Sequence, residues 1–325
     1  MHMADALLSP GVGLTMAGIS AAAIGFSCYK IRKDEHSREK LPLLAMAGAF
    51  VFAAQMINFM IPGTGSSGHI GGGILLAALL GPWAALITIS VVLIIQCLMF
   101  ADGGLIALGC NIFNMGIIPC LIVYPFAKKL MQKNLIAGTA AGIMIALPLG
   151  AFAVVLETQL SGITELPFAS FTQLMIPIHL AIAIGEAIAT SAVLVFVAKT
   201  RPDMLDPKLP EVKDFKLSTK AVVAIIGISA LCIGVGISGF ASSLPDGLEW
   251  AILNTTGTEE LEAAGTLHES AANIQGKTSV FPNYELPETS WNSGMLAAFV
   301  GTILTAFVAG VIALIFTKRR QAKTK

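Results

Sequence analysis

Met1 and His2 place three nitrogens within a few bonds of one another: the α-amine, the His2 backbone amide and the His2 imidazole. A metal ion held by all three closes a five-membered ring through Met1 Cα and carbonyl carbon, then a six-membered ring through His2 Cα, Cβ and the imidazole. A deprotonated amide nitrogen suits Ni(II), Cu(II) or Co(II) in a planar or tetragonal field, whereas Mg and Ca prefer oxygen. Removal of an initiator methionine generally needs a small second residue, so a histidine at position 2 predicts that Met1 stays. His69, in Gly63-Thr-Gly-Ser-Ser-Gly-His-Ile-Gly-Gly-Gly73, is the candidate for a fourth nitrogen. Each feature alone has an ordinary explanation: a solvated terminal histidine, and a polar turn rich in Gly and Ser. They carry chemistry only if the fold brings them together.

The elements that must do so are membrane helices. Of 325 residues, 55% are hydrophobic and 12% charged, against about a quarter charged in soluble domains. The class expected is an all-α integral membrane protein, a polytopic helix bundle. Net charge is zero, and without a basic stripe or stacking aromatics there is no case for nucleic acid. Cys28, Cys97, Cys110, Cys120 and Cys232 are scattered through apolar segments without CxxC spacing and read as small core residues. No Lys or Arg precedes the first apolar run, so a cleavable signal peptide, which would remove the chelating terminus, is not expected.

Apolar runs fall near 11–31, 41–61, 83–100, 104–127, 134–156, 172–198, 219–240 and 294–317, with a shorter piece near 69–81 ending at Gly81-Pro82. Lys and Arg mark cytoplasmic loops. They cluster at Lys30–Lys40, Lys128–Lys133, Lys199–Lys220 and Lys318–Lys325, whereas the N-terminus, 62–68, 157–171 and 241–293 are almost free of them. Between 62–68 and 128–133 the chain must cross an odd number of times, so 69–81 counts as a crossing. About seven helices up to residue 200 and two more beyond it follow from this count. The N-terminus then lies outside and the C-terminus in the cytoplasm, with Met1, His2 and His69 on one side. Non-helical backbone such as 63–73 is tolerated at membrane depth only where it is buried in protein or lines a cavity.

Met1-His2-Met-Ala-Asp-Ala-Leu-Leu-Ser-Pro10, the His69-Ile-Gly-Gly-Gly-Ile-Leu segment running into Leu-Leu-Gly-Pro82, Gln96…Phe100-Ala-Asp-Gly-Gly104…Leu108-Gly-Cys-Asn-Ile-Phe-Asn-Met115, and His179-Leu-Ala-Ile-Ala-Ile-Gly-Glu186 resemble the CbiM/NikM family over roughly residues 1–199. Its members are the substrate-specific membrane subunits of energy-coupling-factor transporters, which are ABC-type systems for nickel and cobalt. The resemblance implies that the Met1 amine, the His2 amide and ring, and His69 bind the metal. It also implies partners: a transmembrane coupling (T) subunit and cytoplasmic ATPase subunits, in the inner (plasma) membrane of a bacterium or archaeon. The family's usual start is closer to Met-His-Ile-Pro-Asp-Gly. Met3, Ala4 and Ala6 depart from it, and with that glycine lost the resemblance leaves open how the N-terminal strand turns into the bundle.

Residues 201–220 hold three prolines and several charges and read as a cytoplasmic linker between a metal-binding domain, 1–200, and a module over 221–325. That module has the layout helix, outer segment 241–293, helix. Pro245-Asp-Gly-Leu-Glu-Trp-Ala251 resembles the PDGLE module of these transporters, found as a separate NikN-like subunit or fused. Pro245-Asp246-Gly247 is a turn signal and offers no metal chemistry of its own; Trp250 suits a membrane interface.

Gln96, Asn111, Asn114, His179 and Glu186 are expected to support the metal ligands without touching the metal. Asn111 and Asn114 share a helix face, as do His179 and Glu186 two turns apart, and interhelical hydrogen bonds are the alternative for each pair. Asp102 also suits the bundle interior. His36, in a charged loop, reads as solvated, His268 as at most a transient contact, and the thirteen methionines as core filling. Enzyme chemistry has no support: HExxH and GxSxG are absent, and Gln275-Gly-Lys-Thr278 lacks the upstream glycine of a Walker A loop. No catalytic cofactor is expected, only a substrate ion, Ni(II) before Co(II), since low-spin Ni(II) gains most from four planar nitrogens. A self-sufficient secondary transporter or channel for divalent metal is the alternative, although few intramembrane acids are available to couple it.

Overall fold

The computed structural model describes residues 1–33, 41–206, 209, 218–232, 241–259, 261–262, 265–285 and 293–321. His36 and half of the linker 201–220 lie outside them. The protein is a helix bundle. Among the described residues six helices are long and apolar enough to cross a membrane: α1 (Pro10–Lys33), α4 (Pro82–Phe100), α5 (Leu108–Met131), α6 (Leu135–Ser161), α7 (Phe168–Thr200) and the span Gly294–Phe316 within α11 (Ser293–Gln321). Shorter apolar helices, α2 (Leu41–Gln55) and α8 (Thr219–Leu231), accompany them. Outward faces carry Leu14, Phe26, Ile145, Leu156, Ile188, Ile303 and Phe307, all exposed, as lipid-facing surfaces require.

The expected span 41–61 is helical only to Gln55. Residues 59–61 form β1 (Phe59–Ile61), paired antiparallel with β2 (Ser66–Gly68) in the register Phe59↔Gly68. The turn signal Pro62-Gly63 folds the chain back, with Gly63 and Gly65 at positive φ. Residues 69–72, irregular and ending in a left-handed Gly72, then lead into α3 (Gly73–Leu80), every residue of which is buried.

Eight helical residues rise only about 12 Å, less than half of the roughly 28 Å of the returning α4. The piece 69–80 is part irregular backbone and part short helix. Its far end meets the basic end of α1: Trp83 packs edge-on against Phe26 at 5.4 Å, and Lys30 Nζ lies 5.8 Å from the Trp83 ring.

α4 runs through the middle of the bundle, buried along most of its length. Beside it, α5 loosens over Phe113–Val123 into a wider π-type turn around Pro119, whose missing N–H breaks the helical ladder. The start of α3 uses that space: a Cβ on Gly73 would come within 2.5 Å of Pro119 Cγ. Between α8 and α11 the chain forms two further helices, α9 (Gly247–Thr256) and α10 (Thr266–Thr278), at the end of the bundle that holds the N-terminus.

Candidate metal centre

The N-terminal segment enters the bundle as extended backbone gripped from α5. Asn111 Oδ1 accepts from Met3 N at 2.8 Å, and Asn111 Nδ2 donates to Met3 O at 3.2 Å. Gly104 N also donates to Met3 O, at 2.8 Å. A Cβ on Gly104 would lie 1.9 Å from Asp5 Oδ1, so only glycine allows the two strands to lie together. Asp5 Oδ1 accepts from Ala107 N at 2.9 Å, and burial raises its carboxyl above the usual range. Residues Asp5–Leu7 make a single tight 3₁₀ turn with Ala6 buried inside it. Alanine at position 6 thus fits a conformation that needs no glycine.

These anchors bring the Met1 amine 3.2 Å from His69 Nε2. His69 Nδ1 lies 3.0 Å from Ile70 O, which can only accept. Nδ1 therefore carries the proton, and the Nε2 lone pair faces the amine. The His2 and His69 rings stack with centroids 5.3 Å apart and planes at 20°. Met1, His2 and His69 are gathered into one small volume. Among the described residues, no three His, Cys, Asp or Glu side chains form a conventional metal cluster; what converges is a terminal amine, a backbone amide and two imidazoles.

His2 Nε2 lies 3.2 Å from Gln96 Oε1, and Nδ1 lies 3.1 Å from Asp102 Oδ1. Burial lowers the imidazole below its usual pKa, against the opposing pull of Asp102, and favours the neutral ring. A neutral ring has one proton for two acceptors. A ladder of amides turns Gln96 Oε1 toward His2 Nε2: Gln55 Nε2 donates to Gly71 O at 2.9 Å, and Gln96 Nε2 donates to Gln55 Oε1 at 2.9 Å. With the proton on Nδ1 the ring donates to Asp102; with the proton on Nε2 it donates to Gln96, and Nδ1, the nitrogen that closes the six-membered chelate, has its lone pair free. A cation at Nδ1 selects the second form.

Glu186 accepts from Gly71 N at 2.6 Å and Gly72 N at 3.0 Å. It fixes the glycine-rich segment, in which Gly72 takes φ +77°, and touches none of the four nitrogens directly. Asn114 donates to Glu157 Oε2 at 2.7 Å and lies 3.7 Å from Met3 Sδ. His179 donates from Nδ1 to Met175 O at 2.8 Å. Its Nε2 is buried without a hydrogen-bond partner among the described residues, against Gly247.

The largest departure from the sequence reading is Asp246, in the turn taken to have no part in metal chemistry. Asp246 Oδ2 pairs with the Met1 amine at 2.6 Å, while Oδ1 caps α9 by accepting from Leu248 N and Glu249 N at 2.8 and 3.0 Å. Burial alone would raise this carboxyl, but the Met1 ammonium and His69 outweigh it and hold it well below the usual range. Glu249, buried beside Asp246, is pushed up to about 7. Described residues of the outer segment clasp the site at several points. Ser67 N donates to Pro245 O at 2.8 Å, Trp250 Nε1 to Thr64 O at 2.9 Å, and His268 Nε2 to Leu8 O at 2.9 Å. Gln275 donates to Gly103 O at 2.7 Å, and the Tyr284 hydroxyl to Asp102 Oδ2. His268 thus secures the N-terminal segment, and Trp250 bonds a loop carbonyl of the partner domain.

A family model described as the cobalt uptake substrate-specific transmembrane region, CbiM, matches residues 2–204. The chain belongs to the CbiM family. A second model, the PDGLE domain, matches residues 220–318, so the CbiM region is fused to a NikN-like module. The chain is 30% identical over 330 residues to the "Putative fused nickel transport protein NikMN" of Archaeoglobus fulgidus, covering all of both chains. It is 31% identical over 228 residues to the "Fused nickel transport protein NikMN" of Rhodobacter capsulatus, covering 64% of this chain and 65% of that one. A crystal structure of a truncated transition metal transporter aligns with a TM-score of 0.54 at 29% identity, covering 61% of this chain and 98% of that one. Metal transport by a multi-pass membrane protein of the CbiM/NikM type is what these likenesses establish.

Proposed function

We propose that this chain captures Ni(II), with Co(II) next in preference, and carries it across the membrane as the substrate-binding component of an energy-coupling-factor transporter. The observation that carries the reading is the approach of the Met1 amine to His69 Nε2 at 3.2 Å with the His2 ring stacked beside them. Met1 contributes its amine, His2 its deprotonated amide and Nδ1, and His69 its Nε2. The resulting four-nitrogen set favours Ni(II) over oxygen-seeking cations, and the full-length likeness to a protein named for nickel transport points the same way.

Gln96, Asn111 and Glu186 support this set by fixing, respectively, the His2 ring, the Met3 backbone and the glycine-rich segment. Asn114 and His179 support it at one remove, through Met3 and Gly247. ATP hydrolysis belongs to separate cytoplasmic subunits, coupled through a T subunit. The N-terminus faces outside and the C-terminus the cytoplasm, in the plasma membrane of a bacterium or archaeon. His69→Ala tests the ligand set. The variant, purified in detergent with a C-terminal tag, is expected to keep its melting temperature and lose tight Ni²⁺ binding by isothermal titration. Wild-type affinity in His69→Ala would refute the proposed ligands.

A further inference from the structure

Two cavities meet at the candidate centre. The outer one is polar, lined by His2, Asp102 and Tyr284 among others; the inner one is mostly apolar and lies between α3, α5, α6 and α7. His69 lines both, so the inner cavity opens from the centre itself. Gly73 and Pro119 also line it, where α5 loosens into its π-type turn. The polar groups of this inner cavity lack the same thing. His179 is 2% exposed, and its Nδ1–H donates to Met175 O at 2.8 Å. Nε2 is therefore a bare lone pair, and no donor reaches it among the described residues. It is turned toward Gly247, which lines the same cavity: a Cβ there would lie 3.4 Å from it. On α5, Asn114 gives its Nδ2–H to Glu157 and keeps Oδ1 without a donor. Met115 adds a thioether to the lining. Glu186, two turns or about 10 Å beyond His179 along α7, adds a carboxylate that meets two backbone N–H groups and no cation among the described residues.

We infer that the inner cavity is a second, weaker site for the transported metal, with His179 Nε2 as its ligand. The ion reaches it on leaving Met1, His2 and His69, and the inference rests on the reading of this chain as a carrier of Ni(II) or Co(II). Buried acceptors left unpaired cost about 1–3 kcal/mol each, and a cation satisfies them together. A neutral imidazole, an amide oxygen and a thioether are donors that borderline divalent ions accept. The weakness has a physical cause as well. Few ligands and apolar walls make a dication costly to bury, and a site on a transport path must release what it binds. A water molecule would satisfy the same two acceptors, so the test has to separate metal from water.

Full-length protein with a free N-terminus and a C-terminal tag is titrated in detergent with Co²⁺, whose visible absorption reports its ligands, and with Ni²⁺ by calorimetry. Wild type is expected to take a second equivalent about a hundredfold or more weakly than the first, as a buried site with few ligands requires. His2→Leu/His69→Ala, which removes both imidazoles of the tight site, is expected to keep only the weak equivalent. Adding His179→Phe, which keeps a ring without its lone pair, is expected to abolish that one too, whereas adding His36→Ala is not. His179→Leu replaces it if the phenylalanine variant fails to accumulate. With the complete transporter, His179→Phe is expected to lower the maximal uptake rate at least tenfold. A single equivalent in wild type at saturating Co²⁺, a weak equivalent that survives removal of the His179 imidazole, or an unchanged maximal uptake rate would each overturn the inference. The two claims fail separately. If His2→Leu/His69→Ala still binds tightly, the ligand reading falls, and the second site is judged by the loss of one of two equivalents in His179→Phe alone. If it loses the tight equivalent and shows no weak one, the ligands stand and the second site falls.

Discussion

Gln96 donates its Nε2–H to Gln55 Oε1 at 2.9 Å, and through that bond the His2 ring is tied to the backbone of Gly71. The two amides form a relay whose direction is fixed at its far end, because the Gly71 carbonyl can only accept. At the near end Gln96 Oε1 accepts a proton held on His2 Nε2, the tautomer that frees Nδ1 for a metal, in competition with Asp102, which accepts from a proton on Nδ1. Residues that orient ligating histidines in this way typically cost 10–100-fold in affinity when removed. Gln96→Leu, which keeps the apolar packing of α4, is expected to weaken Ni²⁺ binding by about that range while His2 remains in place. Equilibrium titration of the purified variant is the check, and an unchanged affinity would show that the relay does not set the tautomer.

The helical frame was legible because period and charge were redundant. Apolar runs, basic loops and crossing parity agreed, and parity required 69–81 to cross. What parity does not contain is that only eight residues of this piece are helical, since that depends on the irregular lead-in 69–72 and on the space opened at Pro119. Residues 59–61 read as helix because Phe, Met and Ile are apolar in either state, and only the hairpin with 66–68 decides between them. Met1 and His2 were legible because chelate-ring size is covalent and needs no tertiary information; His69 was a candidate through its glycine-rich segment and its place on the same basic-poor side. Asp246 was not. Its turn chemistry, visible as Pro-Asp-Gly, explains one carboxylate oxygen, and nothing local shows that the other meets an amine 245 residues away. Gln55 and Glu157 were missed for the same reason: each acts through partners distant in sequence. Met1-His2 and the PDGLE turn did share the basic-poor side of the chain, and that was the signal available.

Proton release gives a test that does not depend on mutation. Burial holds the His2 imidazole below its usual pKa, so above that depressed value the ring is already neutral and gives up no proton to the metal. The protons come instead from the terminal ammonium and the backbone amide. Affinity is therefore expected to rise with pH, by close to two tenfold steps per pH unit wherever the amine is protonated, and with no break in the range where an ordinary histidine titrates. Titration calorimetry in buffers of different ionisation enthalpy should count about two protons per metal. Release of one proton or none would remove the amide from the ligand set.

The length of chain before His2 gives the strictest test, because a site made only of side chains would be insensitive to it. Ring size fixes one residue, and only one, ahead of His2. Adding a glycine or a tag in front of Met1 turns its amine into a peptide nitrogen and carries the new amine beyond the chelate. The amine is also the group that Asp246 grips at 2.6 Å and that faces His69 Nε2 at 3.2 Å. Extension therefore breaks both contacts and pushes further backbone into an enclosed space, at about 1–3 kcal/mol for each polar group left without a partner. A tag after Lys325 meets none of these constraints. Three forms at equal expression are compared for bound metal after purification and for uptake with the complete transporter: untagged, N-terminally extended and C-terminally tagged. The untagged and C-terminally tagged forms are expected to carry close to one metal ion per chain, and the extended form none, with uptake lost in parallel. Full occupancy in the extended form would mean that Met1 is not a ligand and that the amine serves only to anchor Asp246.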